Sequence, residues 1–245
     1  MKKTYTIGIS VLIILILSFC IYTCIIFKNN MPVLAYHDVL ENPTEETDIS
    51  IEKFDRQMKF LKTHNYKTLT MSEFYEWKKG AKTNGKKVVL TFDDGKESFY
   101  TTVVPILEKY NLKATIFIIE SAINESGYLT HEQVLDLKNN HPNITVASHS
   151  YNLHNETSAN SNNYTLYDED MKKNKENNYE FYAYPFGIKN ENYENALKDN
   201  NYKLAFLFSP SKWASRNNND FEITRVPIYK SNSMFKFKLK MLLKI

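Results

Sequence analysis

Lys87-Val88-Val89-Leu90-Thr91-Phe92-Asp93-Asp94-Gly95 is the stretch that decides the fold. Its apolar run does not alternate with polar residues, which marks a strand covered on both faces, as in a parallel sheet wrapped by helices. Such sheets bind ligands at the carboxyl ends of their strands, so two acids at the exit of this strand carry weight. Gly95 supplies the turn that leaves both carboxylates at the strand mouth.

Outward from this strand, short apolar runs alternate with amphipathic ones. The strand candidates are 32–36, 66–70, 87–92, 113–119, 143–148, 180–184, 202–208 and 222–229. Between them, Phe54, Met58 and Leu61 recur at helical spacing, and Thr130-His131-Glu132-Gln133 reads as a capping box opening a helix through Leu137. Ser72 and Asn190 are read as caps of two more helices. Strands alternating with helices predict an α/β fold, a (β/α) barrel or a distorted relative of one. Residues 155–178, rich in Asn, Ser, Glu and Lys, read as a surface loop with one polar helix, and no internal repeat is present.

The first thirty residues differ in composition from the rest. Lys2 and Lys3 precede an apolar run over 7–27, long enough to span a bilayer as one transmembrane helix. Basic flanks resist translocation, so everything after Lys28 is expected outside the cell, held by an uncleaved anchor. Secretion after signal cleavage is the alternative. Both cysteines, Cys20 and Cys24, lie in this run, which leaves the exported domain no thiol for a disulfide, a metal or a nucleophilic attack. The domains expected are therefore an anchor over 1–30, a catalytic unit over 31–230 and a basic amphipathic tail over 231–245. Two readings of the tail stand: contact with an anionic membrane surface, or an edge element packed on the domain. The net charge of +3, with lysines scattered among acids, excludes nucleic acid as a partner.

Adjacent acids after a strand point in different directions, so one can ligate a metal while the other takes a proton from water. A bland reading of Asp93-Asp94 is a helix N-terminus capped by Asp94. The next exit to consider follows Ile144-Thr145-Val146-Ala147-Ser148, where His149 and His154 sit five positions apart. Two imidazoles and one carboxylate leave coordination positions open, as catalytic divalent ions require.

With those residues the chain resembles the polysaccharide deacetylases of carbohydrate esterase family four. Their first motif is this Thr-Phe-Asp-Asp-Gly and their second a His-Ser/Thr followed by another His. The resemblance covers about Pro32 to Tyr229 and implies the distorted barrel of that family. It makes Asp93 the general base and Asp94, His149 and His154 the ligands of one divalent ion, zinc being the first choice and cobalt or nickel alternatives. The usual second motif has its histidines four apart; five apart is similar to the branch that deacetylates poly-β-1,6-N-acetylglucosamine.

Three departures accompany the resemblance. The third motif appears as Phe181-Tyr182-Ala183-Tyr184-Pro185-Phe186-Gly187 without its arginine, so another group must position Asp93. Phe186 matches the backbone oxyanion donor, and Tyr184 and Pro185 share its segment as substrate-binding candidates, with core packing the competing role for the two rings. No histidine follows His154, so the general acid must come from elsewhere; His37, after the strand 32–36 in Tyr36-His37-Asp38, resembles the acid of the permuted branch. Trp213 is a candidate for sugar stacking, with packing as its competitor. The reaction implied is removal of N-acetyl groups from N-acetylglucosamine units of an extracellular polysaccharide. Peptidoglycan is the rival substrate, and a glycan-binding membrane protein with a decayed site is the rival class.

Overall fold

The structure, a computed structural model, describes residues 11–19, 28–208 and 212–243. Eight short strands build its main sheet: β1 (Val33–Tyr36), β2 (Lys67–Thr68), β3 (Lys87–Phe92), β4 (Ala114–Ile118), β5 (Ile144–Ser148), β6 (Phe181–Ala183), β7 (Leu204–Phe206) and β8 (Val226–Pro227). Their order is β7-β6-β5-β4-β3-β1-β8, with β2 paired to the start of β3, and every pairing is parallel. Ile223, just ahead of β8, forms a parallel bridge to Phe206. One segment therefore touches both edges of the sheet, and the sheet curls into a distorted barrel. Each strand candidate contains one of these strands, 87–92 in full and the others trimmed at one or both ends.

The pleat of β3 sorts its side chains between two cores. Val88, Leu90 and Phe92 face the surrounding helices, while Val89 packs inside with Val33, Phe117, Ala147, Ala183 and Phe206. The helices that cover the sheet include α1 (Ile51–Thr63), α2 (Met71–Lys78), α3 (Val104–Tyr110), α4 (His131–Asn140), α5 (Tyr164–Lys173), α6 (Glu191–Asp199) and α7 (Met234–Leu242). In α1, Phe54, Met58 and Leu61 are buried, and Phe54 meets Tyr36 and Phe92 edge-on at 5.5 and 5.7 Å.

Two expectations are corrected. Thr70, not Ser72, caps α2, because Thr70 and Glu73 form a reciprocal capping box that satisfies two end donors at once. Residues 155–178 are more than a surface loop: α5 buries Tyr167, Asp170 and Met171, and Tyr167 stacks on Tyr193 of α6 at 4.0 Å. Aromatics supply the apolar face that the lack of aliphatics hid. Of the two readings of the tail, the structure matches the packed one: α7 lies within 231–245 and buries Phe237 and Met241, Phe237 meets Phe60 edge-on at 5.9 Å, and Tyr66 donates to the Met241 carbonyl at 2.9 Å.

The anchor expected over 7–27 lies mostly outside the described residues. Its stretch 11–19 is helical with exposed apolar side chains. No helix among the described residues is long and apolar enough to cross a membrane.

If α7 belongs to the domain, truncating its anchor residue must destabilise the whole. Phe237→Ala is expected to cost about 3–5 kcal/mol in denaturant unfolding, with one cooperative transition retained. A variant as stable as the parent would show α7 to be an appendage.

Candidate active site

Inward-facing positions of β3 continue past its end. Val89 and Thr91 point into the barrel, and the next residue on that face is Asp93, only 2% exposed at the mouth. Arg225, one residue ahead of β8 and fully buried, meets it with two parallel bonds: Nη1 to Oδ1 and Nη2 to Oδ2, both 2.7 Å. The same guanidinium donates to Thr91 Oγ1 at 3.1 Å and to the Leu207 carbonyl at 3.0 Å, so all three of its nitrogens are engaged. Burial alone would raise the Asp93 carboxyl; the Arg225 charge, assisted by His149, outweighs it and holds the group below the usual carboxylate range.

Asp94 turns away from that pair. Its φ of 74° and the 76° of Gly95 form a left-handed corner, where a Cβ on Gly95 would approach Ile118 to 3.1 Å. Asp94 Oδ1 then faces the Nε2 atoms of His149 at 3.6 Å and His154 at 3.2 Å. The three donor atoms lie within 4.8 Å of one another. Burial opposes the Asp94 charge, yet His154 and His149 hold its carboxyl well below the usual range.

His149 continues the inward face of β5 after Ala147, and its Nδ1 donates to the Ala183 carbonyl at 2.8 Å. A carbonyl only accepts, so the proton is on Nδ1 and the Nε2 lone pair faces Asp94. Burial pushes this imidazole below its ordinary value, against the pull of Asp93 and Asp94, and so favours the neutral form that binds metal. The set fits a divalent ion: one carboxylate oxygen and two imidazole nitrogens converge, and Asp94 Oδ1 is buried without a hydrogen bond among the described residues.

The loop that spaces the two histidines is fixed from below. Ser150 takes φ 85°, Leu153 N donates to Ser150 Oγ at 3.0 Å, and Asp170 of α5 accepts from Tyr151 N at 2.8 Å and Asn152 N at 2.7 Å. Burial raises the Asp170 carboxyl, and its two backbone donors act against that. The extra residue between the histidines is thus part of a pinned turn.

His37 leaves β1 beside Asp93, whose N–H donates to the Tyr36 carbonyl at 3.0 Å. Its ring meets Phe208 edge-on at 5.4 Å, and its Nδ1 is buried without a partner among the described residues. Phe186, 44% exposed, caps the other side with its ring 4.7 Å from that of His154. It sits at φ 57° in a tight turn whose own bonds come from Gly187 N and Ile188 N. Gly187, at φ 69°, allows this turn to lie on the Phe208 backbone, which a Cβ would approach to 2.7 Å.

Three expected substrate contacts are corrected. Tyr184 is fully buried, edge-on to Tyr193 at 5.1 Å, and Pro185 is buried beneath the turn, so neither side chain reaches a polymer. Trp213 is 1% exposed and its Nε1 donates to the Lys240 carbonyl at 2.8 Å; it docks α7.

Arg225 and Asp170 were not anticipated. Arg225 lies between Ile223 and Val226 inside the strand candidate 222–229, and a guanidinium at such a position needs a buried acid. Asp170 stands with Tyr167 and Met171 at i, i+3 and i+4, a helical face that the polar composition concealed.

Residues 80–205 match the family model described as polysaccharide deacetylase. A Staphylococcus aureus protein named poly-β-1,6-N-acetyl-D-glucosamine N-deacetylase is 29% identical over 208 residues, covering 78% of this chain and 71% of that protein. A protein of the same name from Staphylococcus epidermidis is 26% identical over 243 residues, covering 87% and 83%. Among solved structures, Streptococcus pyogenes deacetylase PplD in complex with acetate aligns with a TM-score of 0.78 at 25% identity over 86% of this chain and 98% of that one. IcaB from Ammonifex degensii, at 22% identity, shares the fold with a TM-score of 0.73 over 88% and 98%.

Two substitutions test the supports. Arg225→Lys keeps a cation but loses the bidentate grip, and is expected to lower the turnover of acetate release about 100-fold with substrate KM and metal affinity unchanged. Asp170→Asn replaces an acceptor facing two N–H donors, and is expected to weaken zinc affinity roughly tenfold by calorimetry while Asp93 and Arg225 stay paired. Parent-like zinc affinity would detach α5 from the site.

Proposed function

Because the chain belongs to the polysaccharide deacetylase family, we propose that it is a metal-dependent N-deacetylase of an exported β-1,6-linked polymer of N-acetylglucosamine. The observation that carries this reading is the convergence of Asp94, His149 and His154 beside an Asp93 clamped by Arg225. The substrate class rests on the names of the two staphylococcal relatives and on the five-residue histidine spacing. The apolar run over 7–27 behind Lys2 and Lys3 supports a domain outside the cell and tethered to its membrane.

Asp94, His149 and His154 would hold the cation, for which zinc suits the one-carboxylate, two-imidazole set. When bound, it lowers the pKa of water and polarises the acetamide carbonyl. Asp93 takes the proton of the attacking water. Arg225 keeps that carboxylate oriented and ionised, so its uptake of a proton is confined to the moment of attack. The amide N–H of Phe186, in a turn that bonds through its other amides, is the donor for the developing oxyanion. His37, on the opposite lip next to Asp93, gives a proton to the departing sugar amine. Acetate and a free amine result.

On this reading His37→Ala and Asp93→Asn each abolish acetate release from β-1,6-linked N-acetylglucosamine oligomers while metal content, measured by mass spectrometry, stays at the parent level. Release from β-1,4-linked oligomers in preference to β-1,6 would overturn the substrate assignment. Parent-level release by either variant would overturn the role given to that residue.

A further inference from the structure

The end of the barrel opposite the catalytic mouth carries a second, differently built groove. It has a volume of about 780 Å³ and is lined by the loop 82–87, by Arg216 and by the end of α7, with Lys28 and Phe19 on its border. Lys87 opens β3 and Asp93 follows its close, so the groove and the candidate active site lie a strand length apart, roughly 20 Å.

Its chemistry is one-sided. Among the described residues, Lys28, Lys82, Lys86, Lys87 and Arg216 line it, and no acid does. Lys87 is 2% exposed, and among the described residues its Nζ reaches only a neutral acceptor, the Thr83 carbonyl, at 3.2 Å. Burial, then the charges of Arg216 and Lys67, push this ammonium below its ordinary value. Two donors in the same wall are buried with no partner among the described residues: Thr83 Oγ1 and Arg216 Nε. Arg216 is nonetheless held in place, its Nη2 on the Ala81 carbonyl at 2.8 Å and its guanidinium 5.1 Å from the Trp77 ring centre. Fixed cations with unmet donors call for an anion.

The opposite wall is apolar. Leu242 and Leu243 are 47% and 41% exposed beside these cations, and Phe19, at the end of the helical stretch 11–19, lines the same groove. Cations next to exposed aliphatic side chains match a phosphate headgroup and the acyl chain below it.

We propose that this groove seats anionic phospholipid headgroups, docking this end of the barrel on the membrane and turning the catalytic mouth away from it. The tether and the groove act together: the apolar run brings the domain to the bilayer, and the groove fixes which end faces it. A polymer leaving the cell surface then meets the mouth from outside.

The test uses the full chain in lipid nanodiscs, either neutral or one-third anionic phospholipid, read by amide hydrogen exchange. Residues 82–87 and 239–243 are expected to exchange several-fold more slowly in anionic discs alone, and to lose that protection in high salt. Lys82→Glu combined with Lys86→Glu, two exposed positions far from the active site, should remove the protection while acetate release from a soluble oligomer stays at the parent rate. Equal exchange in both disc types, or protection that persists in the double variant, overturns the proposal. So does protection of the same segments by inorganic phosphate in neutral discs, which would make the groove a soluble-anion site. Acetate release reports on the active site independently, so failure here leaves the deacetylase reading untouched.

Discussion

A fully buried guanidinium bound by two 2.7 Å contacts to a fully buried carboxylate is the constraint around which this molecule is arranged. Taking both charges out of water costs several kcal/mol each, a loss offset only by close geometry and by filling the remaining donors. The chain meets both conditions. Thr91 and the Leu207 carbonyl take the rest of Arg225, and Phe117 lies beneath it with its ring centre 5.6 Å away. Arg225 and Asp93 lie 132 positions apart in sequence, so the pair forms only once the barrel has closed through Ile223 and Val226. Closing the barrel and positioning the Asp93 carboxylate are one arrangement.

Around that pair, the site is built from backbone conformations that side chains seldom adopt. Asp94, Ser150 and Phe186 all have left-handed φ, at 74°, 85° and 57°, and all lie at the mouth. Strain of this kind persists where surrounding contacts over-determine it. Here those contacts are the Gly95 corner against Ile118, the two amides held by Asp170, and the Gly187 turn on Phe208. Each aims one chemical group: a carboxylate, a pair of imidazoles, and a backbone amide.

Most of the fold was legible because parallel strands covered on both faces leave unbroken apolar runs, and those runs end where the polar groups of the site begin. Val88-Val89-Leu90-Thr91-Phe92 gave both the strand and the position of its acids. The candidates Asp93, Asp94, His37, His149 and His154 stood out for the same reason: each lies at or shortly after a strand exit, and the structure brings Asp94, His149 and His154 together. What was not legible depends on contacts remote in sequence. Arg225 serves the role left open by the missing motif arginine, but only the barrel's closure brings it to Asp93. Trp213 and Tyr184 carry the aromatic faces of a sugar-binding surface in sequence, and burial against α7 and α6 decides otherwise. The amphipathic lysines of α7 suggested a membrane surface or a packed edge; the helix packs on the domain and presents Leu242 beside a basic groove.

The central claim is that Asp94, His149 and His154 form one cation site whose ligands are set by the fold before the ion arrives. Calorimetric titration of the metal-free full chain with zinc tests it most directly. The account predicts one ion per chain, abolished in His154→Ala while Phe237-dependent stability is retained. Undiminished one-to-one binding in His154→Ala, or no binding by the parent chain, would contradict it.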